Sequence, residues 1–248
     1  PATVKGSTMK LHQTWTMPLL ALAAALSGCG REGTPMLISQ DEEVQIGQTV
    51  SHDVEQEYGA PLERGPQVAR TEAVFKRIRP FTQRTVPYRV SVLGNAKVIN
   101  AFACPGGPLY FTKPLVDVMD KDDQLPFVVG HETGHVEREH GRQAINQAVL
   151  LNAAGSLLLG NASELAQFGA GVALTLYSQG YSRQQEREAD SAGLQLMVKA
   201  GYRPEAAIEA LQKLGGSEYR GLDKYLASHP STPERIERLQ TEIKQNYR

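Results

Sequence analysis

The sequence predicts an α+β fold, mostly helical, with a small β-sheet set just before one central helix. Three observations carry this. Most of the chain after Met36 spaces its apolar residues three and four apart, the helical period. Only the stretch from Tyr88 to Thr112 alternates as strands do. The stretch His131-Glu132-Thr133-Gly134-His135 lies in an apolar segment that carries helix start signals. At 248 residues the chain can bury a sizeable core and is most simply one domain with small additions. Lys plus Arg number 26 against 27 for Asp plus Glu, which leaves no basic excess to capture nucleic acid. The two cysteines, Cys29 and Cys104, are too few for a disulfide framework or a thiolate zinc site. Any metal here must rely on His and carboxylate.

Residues Pro1 to Thr8 show no pattern, and Met9-Lys10 is the more natural start of translation. The apolar run Met17 to Leu26 is too short to span a bilayer but has the length of a secretory signal core. Leu26-Ser27-Gly28-Cys29 follows directly and resembles the bacterial lipobox, in which the leader is cut before a Cys that then carries lipid. The expected organisation is a leader over 1–28, a lipidated Cys29 with a polar tether over 29–35, and one domain over 36–248. Gly30 after the Cys, rather than Asp, favours the outer membrane of the cell envelope, facing the periplasm.

Gln40 to Tyr58 sets Val44, Ile46, Val50 and Val54 at helical spacing, and Gly59 can terminate it. Val68 to Ile78 reads as a second amphipathic helix. Tyr88 to Leu93 alternates as a half-buried strand, and Gly94-Asn95 offers a turn into a second strand near Lys97 to Phe102. After Pro105-Gly106-Gly107-Pro108, a third short strand fits Leu109 to Thr112. In the central helix Asp122 or Asp123 can cap the start, Pro126 falls in the first turn, and Gly141 closes the end near His140. Gly134 costs about 1 kcal/mol relative to Ala inside a helix, a cost that makes sense if another element passes close.

Ala144 to Tyr177 is strongly apolar, but Asn152, Asn161 and Glu164 interrupt it, and it reads as a helical hairpin packed on the domain. The sharper alternative has it dipping into a bilayer or gripping an unfolded client. Ser182 with Gln185 forms a capping box for a helix running to about Ala200. Pro204 to Leu214 is the next helix. Ser231 with Glu234 starts the last, whose buried stripe is Ile236, Leu239 and Ile243.

The chemistry centres on the His-Glu-x-x-His pattern. Residues four apart share one helical face, so the imidazoles of His131 and His135 can converge on a zinc ion. Glu132 projects beside that point, where a carboxylate can take a proton from the activated water. A catalytic zinc needs a further protein ligand and keeps one position open. No His follows at the short metzincin spacing, since His140 falls at the helix end and reads as a structural, hydrogen-bonded residue. Glu186 is the better candidate. Glu186 and Asp190 lie four apart, so one can ligate while the other accepts the second N–H of a ligand imidazole. Glu188 points the other way and reads as solvated surface charge.

His131-Glu132-Thr133-Gly134-His135-Val136 with His140-Gly141, the upstream Asn100-Ala101-Phe102-Ala103-Cys104-Pro105-Gly106-Gly107, and Ser182-Arg183 with Glu186-Arg187-Glu188-Ala189-Asp190 together resemble the HtpX, BepA and CAAX-prenyl-endopeptidase superfamily of zinc metallopeptidases. The tail Ser228-His229-Pro230-Ser231-Thr232-Pro233-Glu234-Arg235-Ile236 is similar to that family's closing motif. The resemblance implies a gluzincin-like endopeptidase with one zinc ion on His131, His135 and Glu186, Glu132 as base and Asp190 behind a ligand. Cys104 reads as a small buried hydrophobe. The expected substrates are unfolded or extended proteins of the envelope. They would be taken as an added strand along Gly107, Leu109 and Phe111. Outer-membrane assembly machinery is a further expected partner, alongside the membrane reached through the lipid anchor. His229, held extended on a loop by Pro230, has two expected functional roles, oxyanion donor or occupant of the open zinc position that keeps the enzyme latent, against the plainer one of a loop histidine that caps or packs. The alternative function is a chaperone-like lipoprotein with bound zinc and little turnover.

Overall fold

The computed structural model describes residues 36–153, 162–216, 222–230 and 233–247. The expected leader, Cys29 with its tether, and the Ser231 cap lie outside them. The chain after Met36 opens with α1 (Gln40–Tyr58), capped by a reciprocal Ser39–Glu42 box and ended by Gly59 at φ 86°. α2 (Pro66–Ile78) follows, then the strands β1 (Arg89–Leu93), β2 (Ala101–Ala103) and β3 (Pro108–Thr112). Next come α3 (Lys113–Val118), α4 (Gln124–Glu137), α5 (His140–Ala153) and α6 (Ala162–Gln179). The chain closes with α7 (Arg183–Lys199), α8 (Glu205–Gly215), α9 (Asp223–Ser228) and α10 (Pro233–Asn246). The predominance of helix and the small sheet agree with the sequence. The short α3 and α9 were not expected.

The sheet is ordered differently from the expected chain of hairpins. β3 is the middle strand, parallel to β1 and antiparallel to β2. The tight turn lies between β2 and β3, where Cys104 N–H donates to the Pro108 carbonyl at 2.8 Å and Gly106 and Gly107 take φ of 72° and 125°. Only glycine enters that region without strain, so Pro105-Gly106-Gly107 makes the hairpin and Gly94-Asn95 does not. Pro61 instead bridges to Leu93 at the end of β1. This order overturns the expected substrate strand. Leu109 faces Val90 on one side and Ala103 on the other, Phe111 faces Val92 and Ala101, and both side chains are fully buried. A strand paired on both edges has no ladder left to offer a peptide, and Gly107 precedes it in the turn.

α4 is the central helix, buried from Gln124 to Val136. α7 crosses it at backbone contact. A Cβ at Gly130 would lie 2.8 Å from the Gly193 carbonyl oxygen, one at Gly134 2.9 Å from that of Ala189, and one at Gly193 2.7 Å from the His131 nitrogen. Gly134 is therefore small because α7 passes over it. The larger core wraps α4 with α2, α7, α8 and α10, while a second one joins Ile46 and Val50 of α1 to Phe102, Tyr110, Ile145, Ala170 and Ala173. Each large one, such as Ile46, Val50, Phe102 or Ile145, stabilises by about 1.5–3 kcal/mol relative to exposure. The apolar hairpin is thus α5 and α6 packed on α1, as its blander reading holds. Among the described residues no helix is long and apolar enough to cross a membrane.

The helix start and end differ in detail from expectation. Asp123 occupies the N-cap of α4 without a side-chain cap and pairs instead with Arg203 at 3.1 Å. α4 stops at Glu137, before Gly141. Glu139 takes φ 59°, and His140 becomes the first residue of α5. This break decides where His140 goes.

Candidate metal centre

α4 presents His131 and His135 on one face, with their Nε2 atoms 3.1 Å apart. The crossing helix α7, started by the Ser182–Gln185 capping box, brings Glu186 against them. Glu186 Oε1 lies 3.3 Å from His135 Nε2, and its Oε2 lies 3.7 Å from His131 Nε2. At the end of α9, His229 places Nδ1 2.9 Å from Glu186 Oε1 and 3.3 Å from His131 Nε2. These four side chains each offer a ligand atom within 4.8 Å of the others, and none is more than 2 % exposed. His229 is thus buried in the cluster rather than displayed on a loop. Its ring sits 4.9 Å from that of Tyr225, one turn earlier in α9.

The donor set can be tested against a metal. Tetrahedral donors about 2.0–2.1 Å from zinc lie roughly 3.4 Å apart, close to the separations seen here, and the atoms are imidazole nitrogens and a carboxylate oxygen with no thiolate. Glu132, fully buried, has no hydrogen-bond partner among the described residues at either carboxylate oxygen, and His229 Nε2 approaches it only to 3.6 Å. A buried carboxylate left so is costly unless something polar sits before it. The residues fit a zinc ion with a water beside Glu132.

The supports of the two α4 histidines differ. Asp190 Oδ1 lies 3.0 Å from His131 Nδ1, as one of the two expected arrangements has it. Asp190 is itself gripped by Arg235, whose Nε and Nη2 donate at 2.8 and 2.7 Å. The same guanidinium reaches Glu186 Oε2 and the Pro230 carbonyl, each at 2.8 Å. Arg235 has no role in the sequence-based expectations, although it lies four and eight residues before Leu239 and Ile243 and so falls on the buried stripe of α10. A cation on such a stripe is the signal that could have found it. His135 is stacked by Tyr181 at 3.8 Å between ring centres, and its Nδ1 meets His140 Nδ1 at 2.9 Å. Glu188 is not a free surface charge: its carboxylate lies 3.2 Å from His140 Nε2.

Burial sets much of the electrostatics. It pushes the Glu132 carboxyl above its ordinary value, against the pull of His229 and His131. It pulls His135 well below the usual imidazole value, and His140 down to about 4, so both rings are neutral at pH 7. Glu186 also feels burial, but His229 and His131 outweigh it and hold this carboxyl well below the usual range. His229 is raised because Glu186 and Glu132 outweigh its burial.

Comparison with known proteins agrees with this centre. The chain is 28% identical over 214 residues to the mitochondrial metalloendopeptidase OMA1 of Schizosaccharomyces pombe, covering 82% of this chain and 61% of that protein. It is 30% identical over 148 residues to the metalloprotease LoiP of Escherichia coli, covering 58% of each. With the beta-barrel assembly-enhancing protease of Escherichia coli it shares 33% identity over 140 residues, 52% of this chain and 28% of that protein. The chain therefore spans less than two thirds of the length of these curated relatives. The sequence profile of Peptidase family M48 matches residues 67–243, which takes in α4, α7 and the His229 turn, and the chain belongs to that family.

Proposed function

We propose that this chain is a zinc-dependent endopeptidase that cleaves unfolded or misassembled proteins of the cell envelope. The observation that carries this reading is the convergence of His131, His135 and Glu186 beside a buried Glu132 whose oxygens have no hydrogen-bond partner among the described residues. A bound zinc ion would supply a Lewis acid that polarises the scissile carbonyl and lowers the pKa of water to about 7. Glu132 is the base: its carboxylate takes the proton of the attacking water and returns it to the leaving amine. Its raised pKa suits a group that must hold a proton between those two moments. Asp190, clamped by Arg235, fixes His131.

Depth supports the choice of substrate. His131 and Glu132 have no exposed surface, so a peptide bond reaches them only once the site has opened, and then more readily on a chain drawn out of its fold. The leader-like run and Leu26-Ser27-Gly28-Cys29 support an exported protein anchored by lipid on Cys29, with a tether over 29–35 and the catalytic domain over 36–248. Gly30 after Cys29 supports a placement at the periplasmic face of the outer membrane, and the relative named a beta-barrel assembly-enhancing protease supports work near β-barrel assembly machinery.

His229 keeps the resting enzyme closed, because its Nδ1 stands where a fourth zinc ligand would stand. Digestion of an unfolded protein by wild type and by His229→Ala, at equal zinc occupancy and with or without chelator, tests both statements. Cleavage that stops with chelator and rises at least several-fold in His229→Ala is the expected result. A fall of about 100 to 1,000-fold would make His229 an oxyanion donor instead. Equal rates remove both roles, and no chelator-sensitive cleavage by either protein sinks the endopeptidase in favour of a binding role.

A further inference from the structure

His131 and His135 turn the same nitrogen, Nε2, toward the cluster, so each must carry its proton on Nδ1 when Nε2 is a ligand. The two Nδ1 atoms meet different partners. For His131 the partner is a carboxylate, Asp190. For His135 it is a second imidazole nitrogen, Nδ1 of His140, at 2.9 Å. Two N–H groups cannot face each other at that distance. Since His135 donates, His140 Nδ1 must accept, and the His140 proton is then on Nε2. There it points at Glu188 Oε2, 3.2 Å away, while the other oxygen of Glu188 accepts from Gln184 Nε2 at 2.7 Å. A single choice of tautomers satisfies every member of the row.

From this juxtaposition we infer that His140 and Glu188 are positioning residues for His135, fixing its tautomer and the aim of its Nε2. The inference rests on the reading of His135 as a zinc ligand. The fold goes out of its way to build the row. If α4 ran on past Glu137, His140 would lie about 140° round the helix from His135 and a turn further along it. The left-handed Glu139 ends α4 and folds His140 back behind its neighbour. α7 then serves the centre twice, with Glu186 in the cluster and Gln184 and Glu188, one turn apart, behind it. The two supports are unequal. Asp190 is wholly buried and ion-paired, whereas the row behind His135 passes through a neutral ring and ends at a carboxylate 33 % exposed. Tyr181 stacks on His135 from another direction and does not touch this row's hydrogen bonds.

The test is zinc affinity of the full chain, measured by chelator competition, with melting of the zinc-free proteins as the check on folding. His140→Leu leaves the His135 N–H without an acceptor and is expected to weaken zinc about 10 to 100-fold. His140→Asn puts an amide oxygen where Nδ1 was and should restore most of the affinity. Glu188→Ala should weaken zinc by less than His140→Leu but measurably. Unchanged affinity in a folded His140→Leu overturns the inference. So does a His140→Asn protein as weak as His140→Leu, because the contact would then be packing alone. Should His140→Leu fail to fold, Glu188→Ala decides at the half-exposed end: wild-type affinity there refutes the row. A wild-type chain without tight zinc would instead remove the zinc reading before any variant is compared.

Discussion

Glu132→Gln should cut peptide hydrolysis by about 100 to 10,000-fold while leaving the zinc content as it is in wild type. The amide has the shape of the carboxylate and keeps an oxygen in place, so what is lost is the capacity to accept the water's proton. None of His131, His135 or Glu186 is touched. Burial already makes the ionised Glu132 costly, so the neutral variant should melt no lower than wild type. The comparison is kcat/KM on an unfolded substrate beside a melting curve and a zinc determination. A variant that retains wild-type turnover would remove Glu132 as the base, and one that loses zinc would place it among the ligands.

Arg235→Leu should have the larger structural effect, destabilising the domain by about 3 to 5 kcal/mol. The guanidinium is buried, and its removal takes the two-point grip from Asp190, which keeps His131 and a 3.8 Å approach of Arg238, takes a buried cation from Glu186, and frees the Pro230 carbonyl beside His229. Arg235→Lys keeps the charge but cannot offer the planar two-point grip on Asp190, so it should recover only part of the loss. The pH dependence has a definite sign. Burial pushes the Asp190 carboxyl up, but Arg235 and the hydrogen bond to His131 outweigh it, and the folded pKa is depressed. A depressed carboxyl contributes stability above its unfolded pKa and loses it as pH falls through the folded value. In Arg235→Leu that contribution is gone, so the gap between the two proteins should be full at neutral pH and narrow toward acid. Denaturant midpoints at neutral and acid pH measure this. A variant within 1 kcal/mol of wild type at neutral pH, on the scale of an exposed ion pair, would deny Arg235 its place as the clamp.

Local signals made much of this molecule legible in advance. α1, α7 and α8 follow from apolar spacing and from Gly or Ser at their ends, and the His131, Glu132, His135 and Glu186 grouping follows from helical geometry and a family motif. The sheet order was not legible. Strand partners are chosen by tertiary packing, and a Gly-Asn pair advertises a turn without saying which strands it joins. The Pro-Gly-Gly turn, which needs two left-handed residues in a row, was the stronger hairpin signal. α3 and α9 span six residues each, too few to show a period. The break at Glu139 carries neither Gly nor Pro, so the placement of His140 behind His135 had no marker in the sequence. Glu188, read as solvated charge, is still 33 % exposed but also faces His140, and Arg235 was given no role although its carboxylate partners bury it. A charged residue reads as solvated until the neighbour that buries it is known.

Everything proposed for Glu132, His229 and His140 depends on His131, His135 and Glu186 forming a zinc centre. Elemental analysis of the purified full chain and of Glu186→Ala, each reconstituted with zinc and then freed of loose metal, tests it most directly. One tightly held zinc per chain is expected in wild type, and its loss in Glu186→Ala. A wild-type chain that retains no zinc, or a folded Glu186→Ala that holds as much as wild type, would contradict it.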